Sequence, residues 1–175
     1  MSGSAGSHEV DSWRFTGSTI GKVLGSAIPD TPNHAPIPWA PFSKPLSEAR
    51  VALLTTAGLS MKGDAPFDME FERKNPTRGD SSFRMLRADA TESDIEANHL
   101  HIDTGYLERD LNVALPLPLL HQLAKEGVVG SVAPTHYSIM GFQGSDASQL
   151  ENESAPAIAE QLRSEAVDLI LLAPV

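Results

Sequence analysis

The clearest chemical signal in this chain is a set of polar side chains at alternate positions, the spacing that brings residues to one face of a strand. His99, His101 and Asp103 alternate with Leu100 and Ile102. If this segment is extended, its imidazoles and carboxylate project from one face, because successive side chains of a strand point in opposite directions. Histidine titrates near neutral pH, so such a face is suited to donating and accepting protons.

A third histidine follows the next apolar run along the chain. Residues 128–133 are mostly apolar and lead into Thr135, His136 and Tyr137. We expect both segments to be strands that carry their histidines and hydroxyls to one end of a sheet, which is where open α/β folds place their binding sites. The three histidines are therefore the predicted catalytic residues.

Hydroxyl, amide and carboxylate groups near these histidines are predicted to bind the substrate. They are Asp103, Thr104, Asp110, Asn112, Thr135 and Tyr137. Arg84 and Arg109 are further candidates, since an arginine can form a bidentate pair with a substrate carboxylate.

Two other interpretations of the histidines remain open. They can be structural, hydrogen-bonded inside the sheet or at a subunit contact. They can also bind a metal, because His99, His101, Asp103 and His136 supply nitrogen and oxygen ligands that suit zinc or iron in a metal-dependent hydrolase. A His-x-His pair recurs by chance and the spacing does not fix a complete ligand set, so no metal ligand is assigned.

The elements that must position these residues alternate between strands and helices. The predicted strands cover 51–56, 83–86 and 167–175, and the predicted helices cover 116–126 and 156–166. Such alternation is typical of a three-layer α/β domain with a mostly parallel, doubly wound sheet. Residues 58–95 are the least regular part, and we expect a long functional or assembly loop there. Asp64, Asp68 and Asp80 are expected to be mostly solvated charges of this loop, and the alternative is that one of them helps to shape the site.

Proline usage divides the chain into two parts. Prolines recur between Pro29 and Pro45. Because proline has no backbone N–H to pair, we predict that residues 1–47 form a flexible tail and Pro-rich arm, and that residues 48–175 form one α/β domain. The apolar last strand has no predicted helix to cover it, so we expect the domain to be incomplete at its C-terminus.

Composition limits the partners of this chain. Its formal net charge of −10 at pH 7 argues against nucleic acid, which requires clustered lysine and arginine. No apolar stretch approaches the roughly 18–20 residues needed to span a bilayer, and Met1–Ser12 lacks the apolar core of a signal peptide, so we expect a cytoplasmic protein. The absence of cysteine excludes disulfides, Cys-ligated zinc and cysteine nucleophiles from the chain.

Several short motifs of the predicted domain resemble one known family. They are residues 51–58, 63–68, 79–84, 99–104, 110–112, 115–117, 126–131 and 133–141. Together they are similar to selenoprotein B of the glycine, sarcosine, betaine and D-proline reductases, and in particular to the short, proline-reductase type of subunit.

The resemblance implies reductive cleavage of the C–N bond at the α-carbon of an amino acid or N-methylated glycine. It also implies a partner subunit whose pyruvoyl group holds the substrate amine, and a selenocysteine or cysteine directly after Val175. We therefore expect a hetero-oligomer with a small amino-acid substrate, of which this chain is a truncated selenoprotein or N-terminal fragment without a cofactor of its own. A non-catalytic assembly subunit is the alternative.

Overall fold

The computed structural model divides the chain into two compact units, Met1–Ala40 and Pro41–Val175. It describes residues 19–20, 22, 40–75, 78–99, 103–144 and 146–175. In the first unit, Thr19, Ile20 and Lys22 are helical. The strands and helices named below all belong to the second unit.

A buried apolar strand forms the centre of the main sheet. This strand, β1 (Arg50–Thr55), is paired on both edges. Its residues are mostly buried, as a continuous apolar run covered on both faces requires. The last strand, β7 (Leu169–Ala173), runs parallel along one edge. Two short strands, β5 (Ser131–Val132) and β6 (Thr135–Ile139), run parallel along the other edge. Beyond them, β3 (Phe83–Arg87) pairs with β6 in the antiparallel sense, and the predicted short strand over 83–86 is confirmed.

The strands β5 and β6 are two halves of one strand that breaks at Pro134. Both pair with the same edge of β1, since β7 occupies the other edge. The prediction of a strand over 128–133 is wrong in its limits, because regular pairing covers only Ser131 and Val132. Proline cannot donate a hydrogen bond to a neighbouring strand, so the ladder with β1 stops before Pro134 and resumes at Tyr137, opposite Leu54.

The region predicted to be least regular contains several short elements. A second, two-stranded sheet pairs β2 (Leu59–Met61) with β4 (Ile95–Ala97) in the antiparallel sense. Between these strands lie β3 and a short helix, α1 (Met69–Lys74). The side chain of Asp68 begins α1 by accepting a hydrogen bond from the Phe71 amide at 2.8 Å.

Two helices cover opposite faces of the main sheet. The helix α2 (Leu117–Lys125) packs its buried leucines into the same core cluster as Leu53. The helix α3 (Ala155–Ser164), which follows a π-helical turn, places Ile158 beside Leu54. Because adjacent residues of β1 project to opposite faces, the helices lie on opposite sides of the sheet. The predicted three-layer, mostly parallel α/β fold and both predicted helices are confirmed.

The two faces of the main sheet are not packed equally well. On the face covered by α2, Leu53, Leu86 and Leu117 are almost fully buried. On the other face, an apolar cavity of about 200 Å³ separates α3 from the sheet, and Leu172 of β7, which is paired with Leu54, is 62% exposed. No helix within the described residues has the length and apolar character that crossing a membrane requires.

Candidate functional site

The ends of three parallel strands meet at Thr56, directly after β1. Its amide donates to the carbonyl of Ala173 at 3.3 Å, and its carbonyl accepts from the Gly141 amide at 3.1 Å. Its hydroxyl oxygen also accepts from the Val175 amide at 2.9 Å. Thr56 therefore links the carboxyl ends of β1, β6 and β7 at the edge of the sheet where parallel α/β folds place their sites. This carboxyl edge is the candidate functional site.

Glycine is required where β1 turns towards β2. Gly58 has a φ of +63°, and a Cβ at this position would lie 2.5 Å from the Met140 sulfur and 2.6 Å from the Asn98 carbonyl oxygen. The Asn98 amide donates to the Gly58 carbonyl at 2.8 Å. The half-buried His99 therefore follows a residue that is fixed against the carboxyl edge of β1.

A polar cavity of about 390 Å³ lies at the same edge of the sheet. Because β3 runs antiparallel to β6, with Phe83 opposite Ile139, the residues before β3 meet the residues after β6. The cavity is lined by Asp68, Phe71, Arg78, Gly79, Asp80, Ser81, Gln143, Asp146, Ser148 and Gln149. None of these residues is among the predicted substrate-binding residues.

Asp80 organises the wall of this cavity. Its carboxylate accepts hydrogen bonds from the Ser82 amide at 2.9 Å, from the Ser82 hydroxyl and from the Asp68 amide at 3.1 Å. Arg84 lies 3.6 Å away. Burial raises the pKa of Asp80, but the hydrogen bonds and the arginine outweigh it and hold this pKa below its ordinary value. Asp80 is therefore an ionised anchor at neutral pH and not the solvated loop charge that we expected.

Arg84 joins two of the sequence motifs to each other. Its guanidinium donates to the carbonyl oxygens of Ala65 at 2.6 Å and Pro66 at 2.7 Å, and lies 4.2 Å from the centre of the Phe67 ring. The segments 63–68 and 79–84 are thereby fixed against one another. These donors hold the loop, so they are not directed at a substrate carboxylate.

Arg109 is occupied in a similar way. Its Nε donates to the Gly105 carbonyl at 2.8 Å, and its guanidinium lies 4.8 Å from the centre of the Tyr106 ring. Neither arginine that was singled out in the sequence therefore lines the polar cavity.

The loop before β3 approaches the turn after β6 very closely. A Cβ on Gly79 would lie 1.8 Å from the Phe142 carbonyl oxygen, so only glycine fits at this position. Gln143 accepts from the Ser81 hydroxyl at 2.8 Å and donates to the Met140 carbonyl at 2.7 Å. Sequence reasoning missed these cavity residues, although an Asp-Ser-Ser sequence is a signal for a side-chain-capped turn.

His136 lies inside the sheet and repairs the break at Pro134. Its Nδ1 accepts from the Leu53 amide at 2.9 Å, so the ring proton is on Nε2, which has no partner among the described residues. Burial and the charge of His121 lower the pKa of His136, the charge of Glu165 raises it, and the result is a pKa of about 4. The imidazole is thus neutral at physiological pH, and its contacts are those of the structural interpretation.

The neighbours of His136 do not reach the carboxyl edge. The expectation that Thr135 follows the end of a strand is wrong, because Thr135 begins β6 opposite Arg87 at the end of β3. Its hydroxyl donates to Glu165 at 2.6 Å. Tyr137 is fully buried near Phe83, and burial together with the charge of Glu165 raises the pKa of Tyr137 to about 12.

Asp110 and Asn112 make the contacts of a helix start. Asp110 accepts from the Asn112 amide at 3.0 Å and from its side-chain nitrogen at 2.8 Å. The side-chain oxygen of Asn112 then accepts from the Leu119 amide at 3.1 Å, in the first turn of α2. Both side chains therefore satisfy backbone donors before and within that turn.

Asp103 and Thr104 lie in a turn after the segment predicted to be extended. Asp103 accepts from the Gly105 amide at 3.0 Å. Thr104 lines a second cavity, of about 550 Å³, whose charged lining residues are Lys62, Glu92, Glu96 and Glu108. The structure thus distributes the predicted substrate-binding residues over separate parts of the domain.

His101 lies outside the described residues, and its predicted catalytic role stays a prediction. Within the described part of the chain, no three histidine, aspartate or glutamate side chains are placed to hold a metal ion. The metal-dependent alternative, which includes His101, is likewise still a prediction.

Comparison of the sequence with known proteins identifies one family. Residues 28–174 match the family model for glycine/sarcosine/betaine reductase selenoprotein B. The chain is 38% identical over 156 residues, 88% of its length, to D-proline reductase subunit gamma of Acetoanaerobium sticklandii. It is 27% identical over 81% of its length to glycine reductase complex component B subunit gamma of Symbiobacterium thermophilum, and 28% identical over 78% of its length to that of Carboxydothermus hydrogenoformans.

These matches cover only part of each relative. They span 60% of the D-proline reductase subunit and 32% and 30% of the two glycine reductase subunits. No solved structure matches the chain. Since the family model covers nearly the whole sequence, the chain belongs to the glycine/sarcosine/betaine reductase selenoprotein B family.

Proposed function

We propose that this chain is part of the selenoprotein-B-type subunit of an amino-acid reductase, which cleaves a C–N bond reductively in D-proline, glycine or a related amine. The observation that carries this proposal is the 38% identity to a D-proline reductase subunit across 88% of the chain. A polar cavity beside the carboxyl ends of three parallel strands supports it, because such an edge is suited to holding a small substrate.

The redox residue belongs to this proposal and follows Val175. A selenolate or thiolate there would supply an ionised, polarisable nucleophile and electron donor, and a pyruvoyl group on a partner subunit would hold the substrate amine. The support within this chain is the position of Val175, whose amide is tied to Thr56 at the carboxyl edge. This hydrogen bond holds Val175 beside Thr56 at the carboxyl edge.

His99 is the predicted acid whose position best fits this chemistry. It follows Asn98, which is hydrogen-bonded to Gly58 at the end of β1. An imidazole beside this edge would give a proton to the nitrogen that leaves the α-carbon. A cytoplasmic hetero-oligomer with the pyruvoyl-containing subunit is part of the same proposal.

The test begins with the nucleotides after the Val175 codon. We expect a UGA or cysteine codon followed by an open frame, and the full-length product would be assayed together with a pyruvoyl-containing partner and a dithiol. Reductive cleavage of the ring C–N bond of D-proline opens the ring to 5-aminopentanoate, which chromatography detects. Glycine, sarcosine and betaine are the parallel substrates.

Matched histidine variants separate catalysis from folding in this assay. We expect His99→Gln to lower kcat and flatten its pH profile, whereas His121→Gln, a change on the exposed side of α2, leaves the pH profile as it is. An ordinary stop codon with no continuing frame, together with no turnover of any of these amines, would refute the proposed function.

A further inference from the structure

We propose that the polar cavity at the carboxyl edge first binds the substrate as a zwitterionic amino acid, with the carboxylate on Arg78 and the amine on Asp68, before the amine passes to the pyruvoyl group of the partner subunit. This inference rests on the proposed function for the identity of the substrate. It deepens that function by assigning the residues that hold the substrate in this chain.

Arg78 supplies the cation of the cavity. Its side chain is exposed and lines the cavity. Hydrogen bonds from Ser148, together with the charge of Arg78, lower the pKa of Asp146 in the same lining, but no described residue accepts a hydrogen bond from the Arg78 guanidinium. Arg84 and Arg109, in contrast, donate to backbone carbonyls and lie over aromatic rings. A planar guanidinium whose donors are unused presents the fork that matches a carboxylate.

Asp68 supplies the complementary anion. One of its carboxylate oxygens accepts from the Phe71 amide at 2.8 Å, and its own amide donates to Asp80 at 3.1 Å. These bonds fix the side chain at the start of α1, while no described donor reaches its second oxygen. Asp80 does not compete for an amine, because its oxygens are already satisfied by Ser82 and by the Asp68 amide.

The remaining lining defines the class of ligand. A volume of about 390 Å³ is near the lower limit of the roughly 300–1,000 Å³ of ligand pockets, so a small molecule is favoured. The carboxylates of Asp68, Asp80 and Asp146 disfavour phosphorylated ligands, whose charge they would repel. Phe71, which is 38% exposed, offers an apolar surface for the carbon atoms between the two charged groups.

The experiment measures binding and needs no turnover. The 175-residue chain would be titrated with D-proline and glycine, and with two matched probes, pyrrolidine without the carboxylate and cyclopentanecarboxylate without the amine. We expect saturable binding of at least one amino acid, with at least tenfold weaker binding of both probes. The readout is isothermal calorimetry, with NMR shift changes confined to residues that line the cavity.

Variants assign each charged group to its partner. Arg78→Gln should weaken amino-acid binding at least tenfold and remove the advantage of D-proline over pyrrolidine. Asp68→Asn, which keeps an oxygen for the start of α1, should remove the advantage of D-proline over cyclopentanecarboxylate. Arg73→Gln, an exposed change on α1 outside the lining, should bind as the unchanged chain does.

Two results would overturn the inference. These are unchanged affinity in Arg78→Gln, and no saturable binding of either amino acid to the unchanged chain. In the full-length complex, an unaltered KM in Arg78→Gln would refute the cavity while leaving the reductase function intact. Binding that depends on Arg78, in a complex without reductase activity, would instead support the cavity and refute the function.

Discussion

Two polar segments at opposite ends of β6 have opposite relations to solvent. The segment Thr135–Tyr137 carries adjacent titratable side chains, but both are buried in the sheet, and burial moves the pKa values of His136 and Tyr137 away from neutrality. The loop 78–82, in contrast, has no histidine but opens onto a cavity of about 390 Å³. Accessibility and unused hydrogen-bonding capacity, more than the density of histidines, therefore mark the candidate site.

The cause of the difference lies in the backbone. Around Pro134 regular pairing with β1 is interrupted between Val132 and Tyr137, so the amide of Leu53 needs another acceptor, which His136 supplies. In the loop 78–82, Asp80 accepts from the amides of Ser82 and of Asp68, and the Arg78 guanidinium is left with unused donors. The polar groups of Thr135–Tyr137 thus stabilise the fold, whereas the Arg78 guanidinium in the loop 78–82 has donors that can bind a ligand.

The largest expected effect is the loss of the imidazole from the sheet. His136→Ala should lower the free energy of unfolding by about 4 kcal/mol, because it removes a buried side chain and leaves the Leu53 amide without an acceptor. Urea unfolding at pH 7 would measure the change.

Asparagine is the matched replacement at this position. His136→Asn keeps a side-chain acceptor, its Oδ1, near the position of Nδ1, where the Leu53 amide can donate to it. It should therefore recover about 2 kcal/mol of the loss in unfolding free energy. If the alanine variant is as stable as the unchanged chain but loses activity in the full-length complex, the catalytic interpretation of His136 is favoured over the structural one.

A smaller loss is expected in the loop at the other end of β6. Gly79→Ala places a methyl group against the Phe142 carbonyl, so we expect a destabilisation of about 3 kcal/mol and loss of amino-acid binding. Gly63→Ala is the control, because its added Cβ meets no atom within 4 Å and its cost is the strain of a φ of +92°, about 1 kcal/mol. Equal stability of the two variants would contradict the close approach of the loop to the turn after β6.

The smallest expected effect is a difference in the pH range over which His136 and Asp80 each lose their contribution to stability. The pKa of His136 is about 4 in the folded chain and about 6.5 when unfolded, so the unfolded state binds the proton more readily. Stability should therefore fall by about 2 kcal/mol between pH 7 and pH 4.5, and this fall should be absent in His136→Asn. Asp80, whose pKa is lowered, contributes stability that is lost only as the pH falls below its ordinary value of 3.8. Asp80→Asn keeps His136 and should therefore show the same fall between pH 7 and pH 4.5. A clearly smaller fall in Asp80→Asn over this range would contradict the separation.

The fold was largely predictable because its signals are local. The continuous apolar run of β1, the proline and leucine pattern of α2 and the alanine-rich stripe of α3 each specify one element. The break of the strand at Pro134 was also readable, since proline is excluded from a central ladder. Its consequence for His136 was not, because that depends on the unpaired amide of Leu53, which is distant in sequence.

The candidate site was much less predictable than the fold. The contact between Ser81 and Gln143 joins positions that are 62 residues apart, and nothing in either segment alone indicates it. Arg78 differs from Arg84 only in what surrounds its guanidinium, which one sequence does not reveal. Polar patterns thus identified residues able to do chemistry, while long-range packing decides which of them face a cavity.

The exposed leucines of β7 have a practical consequence for handling the protein. Within the described residues, β7 pairs only with β1, so a five-residue apolar strand offers an open edge and solvent-exposed side chains. Such an edge is a template for strand addition between molecules. We therefore expect preparations of this chain by itself to self-associate as their concentration rises, so the binding experiments should use the lowest protein concentration that the readout allows.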